Sequence, residues 1–414
     1  MSANPFSVAF LLAVVVTTSL RAWLASRQIR HVGAHRAQVP AGFADSIPLA
    51  AHQKAADYSM AKTRLFLFEL AIDTLLLLAL TFGGLLQALS DAISALGFAG
   101  YVHDLLLFAA YGVLGFLVGL PFSLYRTFRL EASFGFNKTT PAIFVGDVAK
   151  SAVLAVVIGG PVLFAVLWLM GAMGERWWLY VWLFWIAFNL LALLLYPTLI
   201  APMFNKFTPL ADDALRQRVE ALLARCGFQA SGLFVMDGSR RSAHGNAYFM
   251  GFGKARRIVF FDTLLAKLTP GEIEGVLAHE LGHFKLHHVW KGIGLQAVMA
   301  LALLWVLGRL IDAPGFYQGL GVAAPGTAMA LILFSLVLPV FLFPLAPLTS
   351  LLSRRREFEA DAYAARHAAA NDLVNALVKL YRDNAATLTP DPLHSLFHDS
   401  HPPASSRIAR LRAS

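Results

Sequence analysis

GVLAHELGHFKLHHVWKGIGLQAVMALALLWVLGRL, residues 275–310, holds two kinds of chemistry in one continuous stretch. Its first part is helical in composition and carries four histidines, His279, His283, His287 and His288. Its second part, near 290–311, is apolar for about the 20 residues that a helix needs to cross a hydrocarbon core roughly 30 Å thick. A histidine-rich helix that runs straight into a membrane span sets metal-capable side chains at a bilayer surface.

The rest of the chain fits that setting. Its 414 residues are 57% hydrophobic and only 14% charged, with a mean hydropathy of +0.62, outside the usual soluble range. Seven stretches read as spans, near 5–25, 65–89, 104–125, 151–173, 177–200, 290–311 and 326–350. The first is read as a span rather than a signal peptide, because MSANPF supplies no basic n-region and no cleavage site follows. Lys and Arg favour cytoplasmic loops. They gather after span 1 (Arg27, Arg30, Arg36, Lys54, Lys62), after span 3 (Arg126, Arg129, Lys138, Lys150) and at the start of the tail (Arg354, Arg355, Arg356), whereas 90–103 and 312–325 contain none. The N-terminus is therefore expected outside, with the 201–289 segment and the C-terminus in the cytoplasm. This asymmetry accounts for most of the net charge of +9, and no motif suggests a nucleic acid partner. The single cysteine, Cys226, excludes an intramolecular disulfide and a cysteine-built metal site. No fixed-period repeat is visible.

The segment LTPGEIEGVLAHELGHFKLHH, 268–288, opens with Thr269 as N-cap, Pro270 at the first helical position and Glu272 placed for a capping box. Four residues separate His279 from His283, so both project from one helical face and can share an ion. Glu280 lies between them in sequence and points elsewhere, placed to act on water beside that ion. This is the HExxH pattern of zinc hydrolases. The bland alternative makes these residues polar decoration at an interfacial helix end. A hydrolytic site needs a third ligand, and position 289 is Val, not the histidine a metzincin would carry. Downstream, SRRREFEADAYAARHAA, 353–369, reads as a second amphipathic helix with Glu357 and Asp361 on one face. One carboxylate could ligate the metal while the other takes the free ring N–H of a ligand histidine; a solvated face of i, i+4 charges is the alternative. Three runs within 231–262, LFVMD, NAYFMG and RIVFF, have strand character. They form either a sheet whose edge receives an extended peptide or a hairpin that only packs on the helix.

With these motifs in order, the chain resembles the integral-membrane zinc endopeptidases of the type I CAAX prenyl protease family. Besides HELGH and EFEAD, YRTFRLEASFGFNKTT (125–140), IAPMFNKFTPL (200–210), HGNAYFMGFG (244–253) and HPPASSRIARL (401–411) match in the expected order over nearly the whole chain. The resemblance implies a predominantly α fold: a seven-span transmembrane helical barrel enclosing a chamber, with a small α+β zincin-like catalytic domain on the cytoplasmic side. It implies one zinc per chain on His279, His283 and Glu357, with Glu280 as general base and Asp361 behind a ligand. His401 and Arg407 would stabilise the oxyanion, although by composition alone a His-Pro-Pro tail is more often a surface segment. Asn246, Ala247 and Tyr248 would form the strand that substrate lies against. His288 fits the family pattern without an assigned task.

The expected organisation is a membrane domain over 1–200, a catalytic insert over 201–289, two further spans over 290–352, and a segment over 353–414 that completes the metal site. The expected activity is endoproteolysis near the C-terminus of prenylated or other hydrophobic peptides, using a metal-activated water. Two rivals stand beside it: a quality-control protease for membrane proteins, and a transporter or channel with a structural metal, against which the absence of repeats weighs. Expected partners are a peptide or protein substrate, lipidated or not, and membrane lipids. Short Ala/Leu/Arg-rich loops and a C-terminus without a retrieval signal look bacterial, which points to a plasma (inner) membrane.

Overall fold

The computed structural model describes residues 4–250 and 257–413; the end of the HGNAYFMGFG motif, from Gly251, lies outside them. Four helices begin where the sequence supplies a capping side chain followed by proline. Asn4, Thr140, Thr269 and Asp391 each accept a backbone N–H of the helix they open, and Pro5, Pro141, Pro270 and Pro392 follow them. The cap satisfies a donor that the first turn leaves orphaned, and proline has no N–H there to lose.

Among the described residues, six helical segments are long and apolar enough to cross a membrane: Pro5–Ala34, Gly100–Glu131, Pro141–Ala172, Gly174–Phe204, His288–Leu310 and Thr327–His367. The expected second span, 65–89, is a broken one. Leu49–Leu80 and Leu85–Ala95 meet at 53°, where Gly84 takes a φ of +70° that residues with a Cβ rarely adopt. Each span packs against its neighbours in sequence and the seventh packs back on the first, so the helices close a ring. At the end that holds the N-terminus the ring is filled by apolar side chains, among them Phe10, Leu86, Leu107, Leu167, Trp177 and Leu307.

Deeper in, the ring is hollow. Only 6% of the apolar window is buried in each of Gly100–Glu131, Gly174–Phe204 and His288–Leu310. A cavity of about 730 Å³ is lined by Thr18, Arg21, Asp73, Tyr111, Met299 and Ser335, from five different spans. Polar residues inside spans are costly against lipid. Here Arg21 and Asp73 face this cavity, and Glu69 pairs with Arg126.

The other end is capped by the soluble part. A four-stranded sheet has the order β1-β2-β4-β3, from β1 (Phe207–Pro209), β2 (Gly232–Met236), β3 (Ala247–Met250) and β4 (Arg257–Phe261). β2 and β4 run parallel, while β1 and β3 are antiparallel to their neighbours. The three strand-like runs are β2, β3 and β4; β1, drawn from the IAPMFNKFTPL motif, was not expected. One face of the sheet, with Leu233, Ile258 and Phe260, packs on the helix Pro270–Lys285 in a core that also takes Phe43 and Ile47 from the first loop and Ile408 and Leu411 from the tail. The expected amphipathic helix at 353–369 is part of a longer one, Ala346–His367, which extends span 7 through the 3₁₀ turn Phe343–Leu345.

Candidate active site

Two helices cross at the site, Pro270–Lys285 carrying the HExxH residues and Ala346–His367 carrying Glu357 and Asp361. Gly282 sits at the crossing. A Cβ there would lie 3.0 Å from Cα of Ala360 and 3.1 Å from its carbonyl oxygen, so a residue without a side chain lets the backbones come close enough for their polar groups to meet. The capping box between Thr269 and Glu272 fixes the start of the first helix, and Glu272 also pairs with Lys379 at 2.8 Å.

At the crossing, Nε2 of His279 and Nε2 of His283 lie 3.2 Å apart. The Glu357 carboxylate completes a triangle, with Oε1 3.3 Å from His283 Nε2 and Oε2 3.5 Å from His279 Nε2. Ligands at the ~2.0–2.1 Å typical of zinc, at tetrahedral corners, stand about 3.3 Å apart. The imidazole and carboxylate contacts fall near that spacing, and one ligand atom from each of the three residues lies within 4.8 Å of the others. Glu357 Oε2 is buried without a hydrogen-bond donor, a costly state that a cation would relieve. Burial disfavours charge on His279, yet hydrogen bonds to Asp361 and Glu357 push its pKa up to about 9; the pocket stabilises positive charge. Two imidazoles and one carboxylate suit zinc among the common ions.

Behind the triangle, His279 Nδ1 lies 2.9 Å from Asp361 Oδ1. A carboxylate can only accept, so the proton sits on Nδ1 and the Nε2 lone pair is free to face the metal. Arg407 grips both oxygens of Asp361, from Nη2 at 2.6 Å and Nε at 2.8 Å. Arg407, expected at the oxyanion, is buried, with two of its nitrogens on Asp361 and Nη1 3.5 Å from Glu357 Oε2. His401 occupies the open side, its ring 60% exposed and its Nε2 3.5 Å from Glu357 Oε1. Burial pushes the Glu280 carboxyl above its ordinary range, as suits a general base. Asn246 precedes β3, whose Ala247 and Tyr248 pair with Phe260 and Val259 of β4, leaving β3 at the edge of the sheet among the described residues. One set of contacts went unnoticed in the sequence: His283 Nδ1 meets His288 Nδ1 at 3.0 Å, a pair five residues apart that a helical reading would not bring together.

Residues 28–206 match the family model described as CAAX prenyl protease N-terminal, five membrane helices, and residues 209–414 match that of peptidase family M48. A CAAX prenyl protease 1 homolog of Arabidopsis thaliana is 40% identical over 75% of this chain and 73% of its own length. The human homolog is 33% identical over 72% of this chain and 70% of its own length. The chain belongs to the CAAX prenyl protease 1 family. The crystal structure of S. mikatae Ste24p superimposes with a TM-score of 0.91 at 30% identity, covering 98% of this chain and 99% of that one. This member of the family is thus a multi-pass membrane zinc metalloendopeptidase with the helical chamber expected from the motifs, and the transporter reading loses its support.

Proposed function

We propose that this CAAX prenyl protease family member holds one zinc ion on His279, His283 and Glu357 and cleaves peptide bonds near the C-terminus of prenylated or otherwise hydrophobic peptides. The observation that carries the metal assignment is the cluster of His279, His283 and Glu357, whose ligand atoms lie within 4.8 Å of one another, with His279 held from behind by Asp361. The hollow ring, with an apolar wall and polar groups along it, favours substrates that combine a greasy portion with a peptide. Such a substrate is also what the names of the relatives state for those proteins.

A bound zinc polarises the scissile carbonyl and lowers the pKa of a water toward 7. The chain's own residues do the rest. Glu280 takes the water's proton on a carboxylate oxygen and returns it to the leaving amine. His401, on the open side, donates from Nε2 to the oxygen that gains charge. Asp361, held by Arg407, fixes the His279 tautomer; with two nitrogens so committed, Arg407 has only Nη1 for the oxyanion. The free edge of β3, at Asn246, Ala247 and Tyr248, takes the substrate backbone as an added strand, a mode with affinity but little side-chain selectivity.

The same reading places the N-terminus outside and the catalytic part in the cytoplasm of a bacterial plasma membrane. It keeps the division into a membrane domain over 1–200, a catalytic insert over 201–289, spans over 290–352 and a completing segment over 353–414. The experiment is metal analysis together with cleavage of matched quenched fluorescent peptides, prenylated and unprenylated, by detergent-purified wild type and E280Q. One zinc in both proteins with cleavage by the wild type alone supports the assignment, and the ratio between the peptides tests the lipid. Metal in both with cleavage by neither sinks it.

A further inference from the structure

His283 is supported from behind by another imidazole. Its Nδ1 stands 3.0 Å from Nδ1 of His288, whose Nε2 stands 3.1 Å from a carboxylate oxygen of Glu359. Glu359 in turn accepts from Nε of Arg355 at 3.0 Å. Ionised Glu359 is an acceptor only, so His288 carries its proton on Nε2 and donates it there. His288 Nδ1 is then a bare acceptor, and the group 3.0 Å from it must donate, which puts the proton of His283 on Nδ1. His283 Nε2 is left with its lone pair, and this is the atom 3.2 Å from Nε2 of His279.

We propose that His288, oriented by Glu359, is a positioning residue that sets the tautomer and ring orientation of His283 for metal binding. The inference rests on the metal site proposed above. The two ligand histidines are then supported differently: His279 directly by a carboxylate that Arg407 clamps, His283 through an intervening imidazole.

The backbone is shaped for this contact. The helix Pro270–Lys285 ends at Leu286, and His287 takes a left-handed conformation at φ 57°, from which a new helix starts at His288. Had the first helix continued, positions 283 and 288 would point about 140° apart, at 100° per residue. The left-handed turn instead reverses the side chain of His288 onto His283, where it is buried and 4% exposed. Glu359 and Arg355 are linked to His283 through His288.

The test uses full-length, detergent-purified wild type, H288F, H288Q and H283A. Zinc affinity is measured by chelator competition, ligand geometry by the visible absorption of the cobalt(II) form, and folding by melting of the metal-free proteins. Phenylalanine keeps the ring and loses both hydrogen bonds, and H288F is expected to bind zinc about 10–100-fold more weakly, the usual effect of losing such a partner, with an altered cobalt spectrum. Glutamine carries an acceptor and a donor on one terminus, so H288Q is expected to recover most of the affinity at a similar melting temperature. Equal loss in H288F and H288Q, or none in H288F while H283A loses zinc, overturns the proposal and leaves the metal site standing. Zinc bound no more tightly by wild type than by H283A overturns the metal site itself.

Discussion

At the scale of single residues, the site separates groups that hold the metal ligands from groups that face the substrate, and their variants should differ accordingly. Removing the Glu280 base as E280Q should lower kcat by roughly 10²–10⁴-fold, the usual range for acid–base catalysis, with zinc content unchanged. Arg407 and Asp361 form a buried pair, 6% and 2% exposed. Breaking such a pair leaves an uncompensated charge and costs about 3–5 kcal/mol. R407A should therefore melt well below wild type, whereas H401A, at an exposed ring, should melt with wild type and lose about 10²–10³-fold in kcat, as for an oxyanion donor. Thermal melts and single-turnover kinetics of the two variants decide this. An R407A protein that melts normally and loses only kcat would restore the guanidinium to the reacting carbonyl.

Among the elements, the helix crossing at Gly282 is the most sensitive point. A methyl group there meets backbone at 3.0–3.1 Å, and overpacking of this kind costs about 1–3 kcal/mol. Because the two helices carry the two halves of the ligand set, their separation also spreads the donor triangle. G282A is expected to bind zinc more weakly in the same chelator competition, and normal zinc affinity in that variant would remove the crossing from the argument. The tail is attached to span 1 through Asp391, which caps Pro392–His398, takes Arg27 at 2.9 Å and donates its backbone N–H to Gln28. Burial raises the Asp391 carboxyl, but the hydrogen bond from Arg27, the backbone N–H of His394 and the nearby positive charge together hold the group below the ordinary carboxylate range. A depressed value means that this contact stabilises the fold above the unfolded-state value of about 3.9 and is lost only as pH falls through the lower folded-state one. Within the same segment, burial holds His394 down to about 4 and His398 below the ordinary imidazole range, so both take up protons on opening below about pH 6.5. Protection of the 391–398 amides from hydrogen exchange should therefore fall as pH drops from about 7 to about 5 in wild type, and be lower throughout in D391A.

For the whole molecule, a closed ring of spans predicts water within the membrane. On span 1, Thr17, Thr18 and Arg21 face the cavity, while Leu12 and Val16, both exposed, fall on the opposite side at 100° per residue. In a protein whose single native cysteine, Cys226, is buried, a membrane-impermeant maleimide should label T18C and S335C and leave L12C and V16C unmodified in liposomes. No labelling of T18C or S335C would mean a packed bundle.

Much of this was written in local sequence. Span lengths follow from runs of apolar residues, the HExxH helix from Thr269, Pro270 and a spacing of four, and β2, β3 and β4 from short β-branched and aromatic runs, because each is decided by neighbours along the chain. Order of motifs was enough to identify the family. The tertiary structure decided what depends on residues distant in sequence. Strand β1 has only three residues and forms because β2 lies beside it. The return of span 7 to span 1 closes a chamber that no single span encodes. Glu357 reaches His279 and His283 across more than seventy positions, and the left-handed turn at His287 brings His288 to His283 against the helical period. Arg407 could be recognised as a site residue from its motif, but the atom it touches depends on how the tail helix packs. Chemistry along the chain named the participants; packing across it assigned their partners, because a hydrogen bond or a metal bond is set by distance in space and sequence spacing fixes that distance only within one element.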